Sequence, residues 1–245
     1  MKNILVIGGA NGIGLSLAKT LCERQDTKTV YVVDKSKWDD TIFSNEKVQS
    51  FVFDLTNEDY SFFNRFTDID SLIITAGFGR LALFKDISDK EIQNYFAVNT
   101  LPAIRLIRLF YDKLLSKEDF FCSVMVSIAG YMSSPFFSVY GATKAALKIF
   151  IESVNIELEK SGTTNRILNV SPGSIKGTSF NGEKTDISLT SSLANDIINN
   201  MLQKNDVLIP QYEEVFKHVL ERYHEDFRKE GLHSYDYKLN SGRVK

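Results

Sequence analysis

Asn3-Ile4-Leu5-Val6-Ile7-Gly8-Gly9-Ala10-Asn11-Gly12-Ile13-Gly14 is the stretch on which the fold turns. Residues 4–7 are all apolar and mostly β-branched. A run this short, with no polar alternate, reads as a strand covered on both faces. Glycines follow at once, and residues 13–24 then show helical spacing. The spacing Gly8-x-x-x-Gly12-x-Gly14 allows a tight turn, with Asn11 and Ile13 inside it. The free N–H groups and the positive end of the following helix can then face phosphate oxygens. A plain strand-to-helix turn would also use glycines. What points to a dinucleotide is the position of these, at the first strand–helix junction of an alternating chain.

Outward from that turn the alternation continues. Strands are expected at 29–34, 48–54, 71–75, 123–128 and 166–170, with a short one at 207–209. Long helices are expected at 99–115 and 139–158. Strand–helix–strand repeats imply parallel strands joined by right-handed crossovers. The expected fold class is therefore α/β: a single doubly wound Rossmann-type domain over 1–245, with a parallel sheet of about seven strands and helices on both faces. Two regions look irregular. Residues 173–190 are polar and carry Gly173, Gly177 and Gly182, so 174–190 reads as a substrate loop. Residues 211–245 begin as a charged helical segment and end as a polar tail without periodicity.

Composition narrows the function classes. The chain has 245 residues, 43% of them hydrophobic and 24% charged, as in a globular protein with a sizeable core. A net charge of -2 with mixed lysines and acids gives no basic face for nucleic acid or an anionic membrane. No run approaches the length of a membrane span, and the opening apolar run is too short for a signal core. Cytoplasmic placement is expected. Cys22 and Cys122 sit in no ligand spacing, nor do His218, His224 and His233, so no metal site is expected.

Five further positions carry chemistry. Asp34 ends the second strand, about 20 residues beyond the glycines, where a carboxylate can accept from ribose hydroxyls and repel an extra phosphate. Asn11, standing where a basic side chain often serves NADP, agrees with NAD, whereas Lys35 and Lys37 could reach a phosphate. NAD(H) is favoured over NADP(H). Tyr140 and Lys144 lie four apart near the start of a helix, hence on one face. A free tyrosine titrates near 10, and a neighbouring ammonium is expected to bring it down towards working range. Ser127 closes the fifth strand at the ligand-binding edge of such sheets, and Asn99 opens the long helix after the fourth.

Together these residues resemble the short-chain dehydrogenase/reductase family, from Lys2 to about Thr178. The carriers are Gly8-x-x-x-Gly12-Ile13-Gly14, Asp54-Leu55, Thr75-Ala76-Gly77, Asn99, Ser127, Tyr140-x-x-x-Lys144 and Pro172-Gly173. The resemblance implies hydride transfer between NAD(P)(H) and a carbonyl or secondary alcohol. It implies Tyr140 as general acid/base, Ser127 as the group orienting the substrate oxygen, Lys144 on the nicotinamide ribose, and Asn99 holding a relay water. It further implies Asp54 and Leu55 around the adenine, and Ala76 and Gly77 along the cofactor. Pro172, Gly173 and Ile175 would lie by the nicotinamide, and Thr178 by its carboxamide or the pyrophosphate. Ile7 and Ile74-Thr75 depart from the family pattern, which has threonine before the first glycine and Asn-Asn before Ala-Gly.

Two rivals share the fold. A nucleotide-sugar epimerase or dehydratase usually has a larger substrate domain than the short segment after Gly173. A non-catalytic NAD(H)-sensing or binding protein commonly lacks the tyrosine or lysine. The pocket-wall candidates are Tyr131, Met132, Phe136, Phe137 and Phe180. The apolar faces of 99–115 and 139–158, with Ala142, Ala145 and Ala146, imply a homodimer by resemblance. A homotetramer is the lesser alternative, because the tail is atypical.

Overall fold

The computed structural model describes residues 1–178, 180, 185–242 and 244. Gly182 and part of the 174–190 segment lie outside the described residues. Seven strands form one sheet: β1 (Asn3–Ile7), β2 (Thr29–Asp34), β3 (Val48–Val52), β4 (Ser71–Ile74), β5 (Phe121–Met125), β6 (Ile167–Val170) and β7 (Val207–Leu208). Their order is β3-β2-β1-β4-β5-β6-β7, every pairing parallel.

The strand pleat divides the core. Leu5 and Ile7 of β1, with Leu72 and Ile74 of β4, face one side. Ile4 and Val6, with Ile73, face the other. Helices α3 (Leu101–Leu109) and α5 (Ser138–Ser161) cover the first face with Leu106, Ile107, Leu147 and Ile151. Helices α1 (Gly12–Cys22) and α6 (Ile187–Leu202) cover the second with Leu17, Leu21, Ala194 and Ile197. Burying each such side chain contributes about 1.5–3 kcal/mol.

The chain runs outward from β1 through β2 to β3, then returns to β4 on the other side of β1. Strand order reverses there, so a crevice opens at the carboxyl ends of β1 and β4, where such sheets bind ligands. Gly8 and Thr75-Ala76-Gly77 stand at those two ends.

Several expectations need correction. No single helix spans 99–115. Asn99 is the last residue of α2 (Asp89–Asn99), Thr100 departs from helical geometry at φ -120°, and α3 starts at Leu101, followed by α4 (Tyr111–Leu115). Pro102 has no N–H to continue α2, but sits well in a first turn. Ser127 lies two residues past β5, where it caps a short turn at Ile128–Gly130. Helix α6 occupies sequence that was not read as a helix. The 211–245 segment starts helical as expected, with α7 (Lys217–Glu225), but the part read as an aperiodic polar tail folds as α8 (Phe227–Asn240). Asp226 caps α8, accepting from Arg228 N and Lys229 N, and Arg222 pairs with Glu230 at 2.7 and 3.1 Å. Leu101 and Leu109 of α3 and Ile149 and Ile156 of α5 are exposed, on helices read as pairing faces. Among the described residues no helix is long and apolar enough to cross a membrane.

Candidate active site

The glycine turn is built by close approach. Gly8 has φ +84°, and a Cβ there would lie 2.5 Å from Ala76 N. Gly14 has Gly8 O at 2.2 Å and Thr75 Oγ1 at 2.6 Å from the place a Cβ would take. No side chain fits either position. Thr75 Oγ1 donates towards the Ile7 and Gly8 carbonyls, 3.0 Å from each, so the hydroxyl ties β4 to the turn. Ile7, the other departure from the family pattern, is a fully buried core residue. Asn11 caps α1 with its backbone and stays exposed. Ile13 packs partly buried beside the second core. Buried Thr178 stands over Gly12, its Cβ 3.7 Å from where a Cβ of that glycine would be. Its hydroxyl donates to Ile175 O at 2.8 Å. This glycine cradle at a helix N-terminus, over which Thr178 stands and where Gly12 N donates to Thr185 Oγ1 at 3.2 Å, fits a dinucleotide pyrophosphate.

The Asp34 carboxylate reaches the same turn. Oδ2 accepts from Ala10 N at 3.0 Å and Oδ1 from Ser36 N at 2.9 Å. Each oxygen keeps a lone pair for a ribose hydroxyl. Asp54 accepts from Thr56 N and Oγ1, which hold its carboxyl below the usual range, and Lys35 adds to that lowering. Leu55 packs against the first core and accepts from Tyr60 OH through its carbonyl.

Beyond the turn the remaining predicted residues converge. Gly77 touches two of them: a Cβ there would lie 3.3 Å from Asn99 Oδ1 and 3.4 Å from Lys144 Nζ. Asn99 clamps the neighbouring backbone, its Oδ1 accepting from Phe78 N and its Nδ2 donating to Phe78 O, both at 2.9 Å. Lys144 Nζ donates to Met125 O at 2.8 Å, at the end of β5. Ser127 stands close enough to the Tyr140 phenol to lower its pKa, while Ser127 Oγ accepts from Ala129 N and contacts Pro172 O at 3.5 Å. Pro172 O also accepts from Ile128 N, joining the segment before Gly173 to the Ser127 turn.

The electrostatics differ from the expectation. Burial pushes the Tyr140 phenol up to about 12, against the lowering effect of the neighbouring Ser127 hydroxyl. Burial likewise pushes the Lys144 ammonium down to about 7. Lys144 Nζ stands 5.7 Å from the Tyr140 ring centroid. Desolvation therefore outweighs any lowering of Tyr140 by Lys144. The lysine shift has a consequence for stability. Between about pH 7 and 10.5 the unfolded chain binds a proton that the fold does not, so stability rises with pH across that window. Lys144→Met is expected to melt above the parent at neutral pH, with the gap closing towards pH 10.5. A gap in thermal unfolding that does not vary with pH would contradict this.

The substrate side is only partly as expected. Phe137 and Phe180 lie 5.1 and 5.2 Å from the Tyr140 ring. Phe136 turns away to Tyr235 of α8 at 4.5 Å, in a left-handed backbone conformation with φ 66°. Tyr131 also turns away: its hydroxyl accepts from Asn169 Nδ2, and its ring lines a separate cavity of about 1080 Å³ between α5 and β7. Met132 is half-buried. Two residues at the site were missed. Tyr95 stacks on Phe78 at 4.6 Å and accepts from Arg80 N, and Phe216 presses on Gly173. Tyr95 sits at helical spacing within an apolar face, a usable signal. Phe216 gave none, because it approaches from a distant segment.

Comparison with known proteins bears on the family and the fold. A family model described as short chain dehydrogenase matches residues 2–188. The "Uncharacterized oxidoreductase YvrD" of Bacillus subtilis (strain 168) is 32% identical over 180 residues, covering 70% of this chain and 68% of that protein. A short-chain dehydrogenase structure from Streptomyces avermitilis superposes with a TM-score of 0.77 at 20% identity, covering 98% of both chains. A short-chain dehydrogenase from Sphingobium yanoikuyae in complex with NADPH superposes with a TM-score of 0.73 at 20% identity, over 92% of this chain and 96% of that one.

Proposed function

Because the chain belongs to the short-chain dehydrogenase family and is an NAD(P)-dependent oxidoreductase, we propose that it interconverts a carbonyl and a secondary alcohol with Tyr140 as proton donor and acceptor. The observation that carries this is the closeness of Ser127 to the Tyr140 phenol at the carboxyl edge of the sheet, with Lys144 and Asn99 both against Gly77. The bound nicotinamide supplies the hydride. Ser127 Oγ orients the substrate oxygen and stabilises the charge that develops on it. The Tyr140 hydroxyl delivers its proton to that oxygen in reduction and removes it in oxidation. Burial keeps the phenol protonated near neutrality, which suits the donor role. Lys144 binds ribose hydroxyls from beside Gly77. Asn99 holds the 77–78 backbone, and its Oδ1 keeps a second lone pair for a relay water.

Gly8, Asn11, Gly12, Ile13, Gly14 and Thr178 are assigned to the pyrophosphate. Asp54, Leu55, Ala76 and Gly77 are assigned along the adenosine, and Pro172, Gly173 and Ile175 to the nicotinamide, with 174–190 as the substrate loop. NAD(H) is the preferred cofactor on the strength of Asp34, whose charge would oppose a ribose phosphate. Lys35 lies close enough to Asp54 to be drawn to that carboxylate. Incubation of the enzyme with NADH or NADPH and a ketone library, followed by absorbance of the reduced nicotinamide, is the test. Carbonyl-dependent oxidation, faster with NADH, is expected. Cofactor binding without turnover of any ketone would instead support a sensor.

A further inference from the structure

The C-terminal segment comes back to the active-site edge of the sheet by a strained route. Gln211 is left-handed at φ 59°, uncommon for a residue with a side chain, and Tyr212–Phe216 forms a π-helical turn. Such turns occur frequently at functional sites. The consequence is the seat of Phe216. An ideal Cβ on Gly173 would lie 2.6 Å from its ring Cζ, so only glycine lets the ring come so close. Gly173 follows Pro172, whose carbonyl contacts Ser127. Phe216 thus stands one residue from the backbone that supports Ser127.

Two more rings flank Tyr140 itself, Phe137 and Phe180. Phe137 is held in place by α8. Lys238 Nζ donates to Ser134 Oγ at 2.6 Å and Pro135 O at 3.0 Å, stands 5.4 Å from the Phe137 ring, and lies near Tyr235, which packs on Phe136. Phe137 and Phe180 therefore flank Tyr140, and Phe216 stands against Gly173, beside the backbone that supports Ser127. Their faces reward an apolar skeleton and leave the hydroxyls of a polyol without partners.

We propose that Phe216 is a specificity-determining residue which, with Phe137 and Phe180, seats the skeleton of an aryl or bulky apolar ketone, or of its alcohol. The proposal rests on the redox reading of the Ser127–Tyr140 site. Phe216 touches the carbon skeleton and not the reacting atoms, so its loss falls on binding. The test is calorimetric titration of propiophenone and dihydroxyacetone into the enzyme–NADH complex, for the parent, Phe216→Ala and Phe216→Leu, with turnover measured alongside. The parent is expected to bind propiophenone at least about tenfold more tightly than dihydroxyacetone. Phe216→Ala weakens propiophenone about tenfold and raises KM with kcat little changed, leaving NADH and dihydroxyacetone affinities as they were, and Phe216→Leu recovers most of the loss. Tighter binding of dihydroxyacetone, unchanged propiophenone affinity in Phe216→Ala, or an equal loss for both ketones and NADH would overturn the proposal. Phe216-dependent binding of propiophenone without turnover supports the seat and overturns the redox reading instead.

Discussion

Tyr140→Phe is expected to lower kcat by about 10²–10⁴-fold while the affinity for the nicotinamide cofactor stays at the parent value. The substitution removes one oxygen and keeps the ring. Packing against Phe137 and Phe180 survives, as does the close approach of Gly79, where a Cβ would lie 2.9 Å from Tyr140 Cδ2. The lost group is the proposed proton carrier, the hydroxyl that stands beside Ser127. Because the phenol is buried, its hydroxyl carries a desolvation cost that phenylalanine avoids, so the variant is expected to fold at least as stably as the parent. Steady-state kinetics with a fluorescence titration of the cofactor separate the outcomes. Near-parent turnover would remove Tyr140 from the chemistry. A parallel loss of cofactor affinity would make its role structural.

Gly14→Ala is expected to disable the protein at the other end of the site. The added methyl would meet Gly8 O at 2.2 Å and Thr75 Oγ1 at 2.6 Å. Neither neighbour is free to move. Gly8 is itself left-handed and pressed on the Ala76 backbone, and the Thr75 hydroxyl is committed to the Ile7 and Gly8 carbonyls. Relief requires the turn to shift as a unit, away from β4. Overpacking of this kind destabilises by about 1–3 kcal/mol. The displaced turn also loses its alignment with the phosphate, and a fall in cofactor affinity of about 100-fold, some 2.7 kcal/mol, is expected. Thermal unfolding and cofactor titration read the two effects. A variant that binds cofactor as the parent does would show that the turn is only a structural connection.

The parts of the molecule legible from sequence were those where one physical constraint dominates. The apolar runs of β1 and β4, bounded by turn residues, read as covered strands, and the Gly8–Gly14 spacing placed a helix start. The less legible parts involve competition. Apolar periodicity runs on through Asn99 and Leu101, but Pro102 withholds a hydrogen-bond donor, so the run splits and Asn99 closes one helix instead of opening another. Ser88 and Glu91 form a capping box that marks the true start of that helix, a signal present in the sequence. Helix α6 was also readable, since Thr190, Leu193, Ala194, Ile197, Ile198 and Met201 are buried at helical spacing behind the Asp186 cap. Polar residues around Gly177 drew attention to a loop instead. The ionisation of Tyr140 and Lys144 was not readable, because spacing places two groups on one face and says nothing of how dry that face is. Phe216 lay beyond any local pattern, since its place depends on where α7 and α8 return to the sheet.

Transfer of a labelled hydride tests the central assignment most directly. The parent enzyme is incubated with reduced cofactor carrying deuterium on the hydride-bearing ring carbon and with a ketone it turns over, and the alcohol is examined by NMR. The expected result is deuterium on the carbinol carbon, one per cofactor oxidised, formed by the parent and by Tyr140→Phe only about 10²–10⁴-fold more slowly. Alcohol without deuterium, or the same labelled product from Tyr140→Phe at the parent rate, would contradict the assignment.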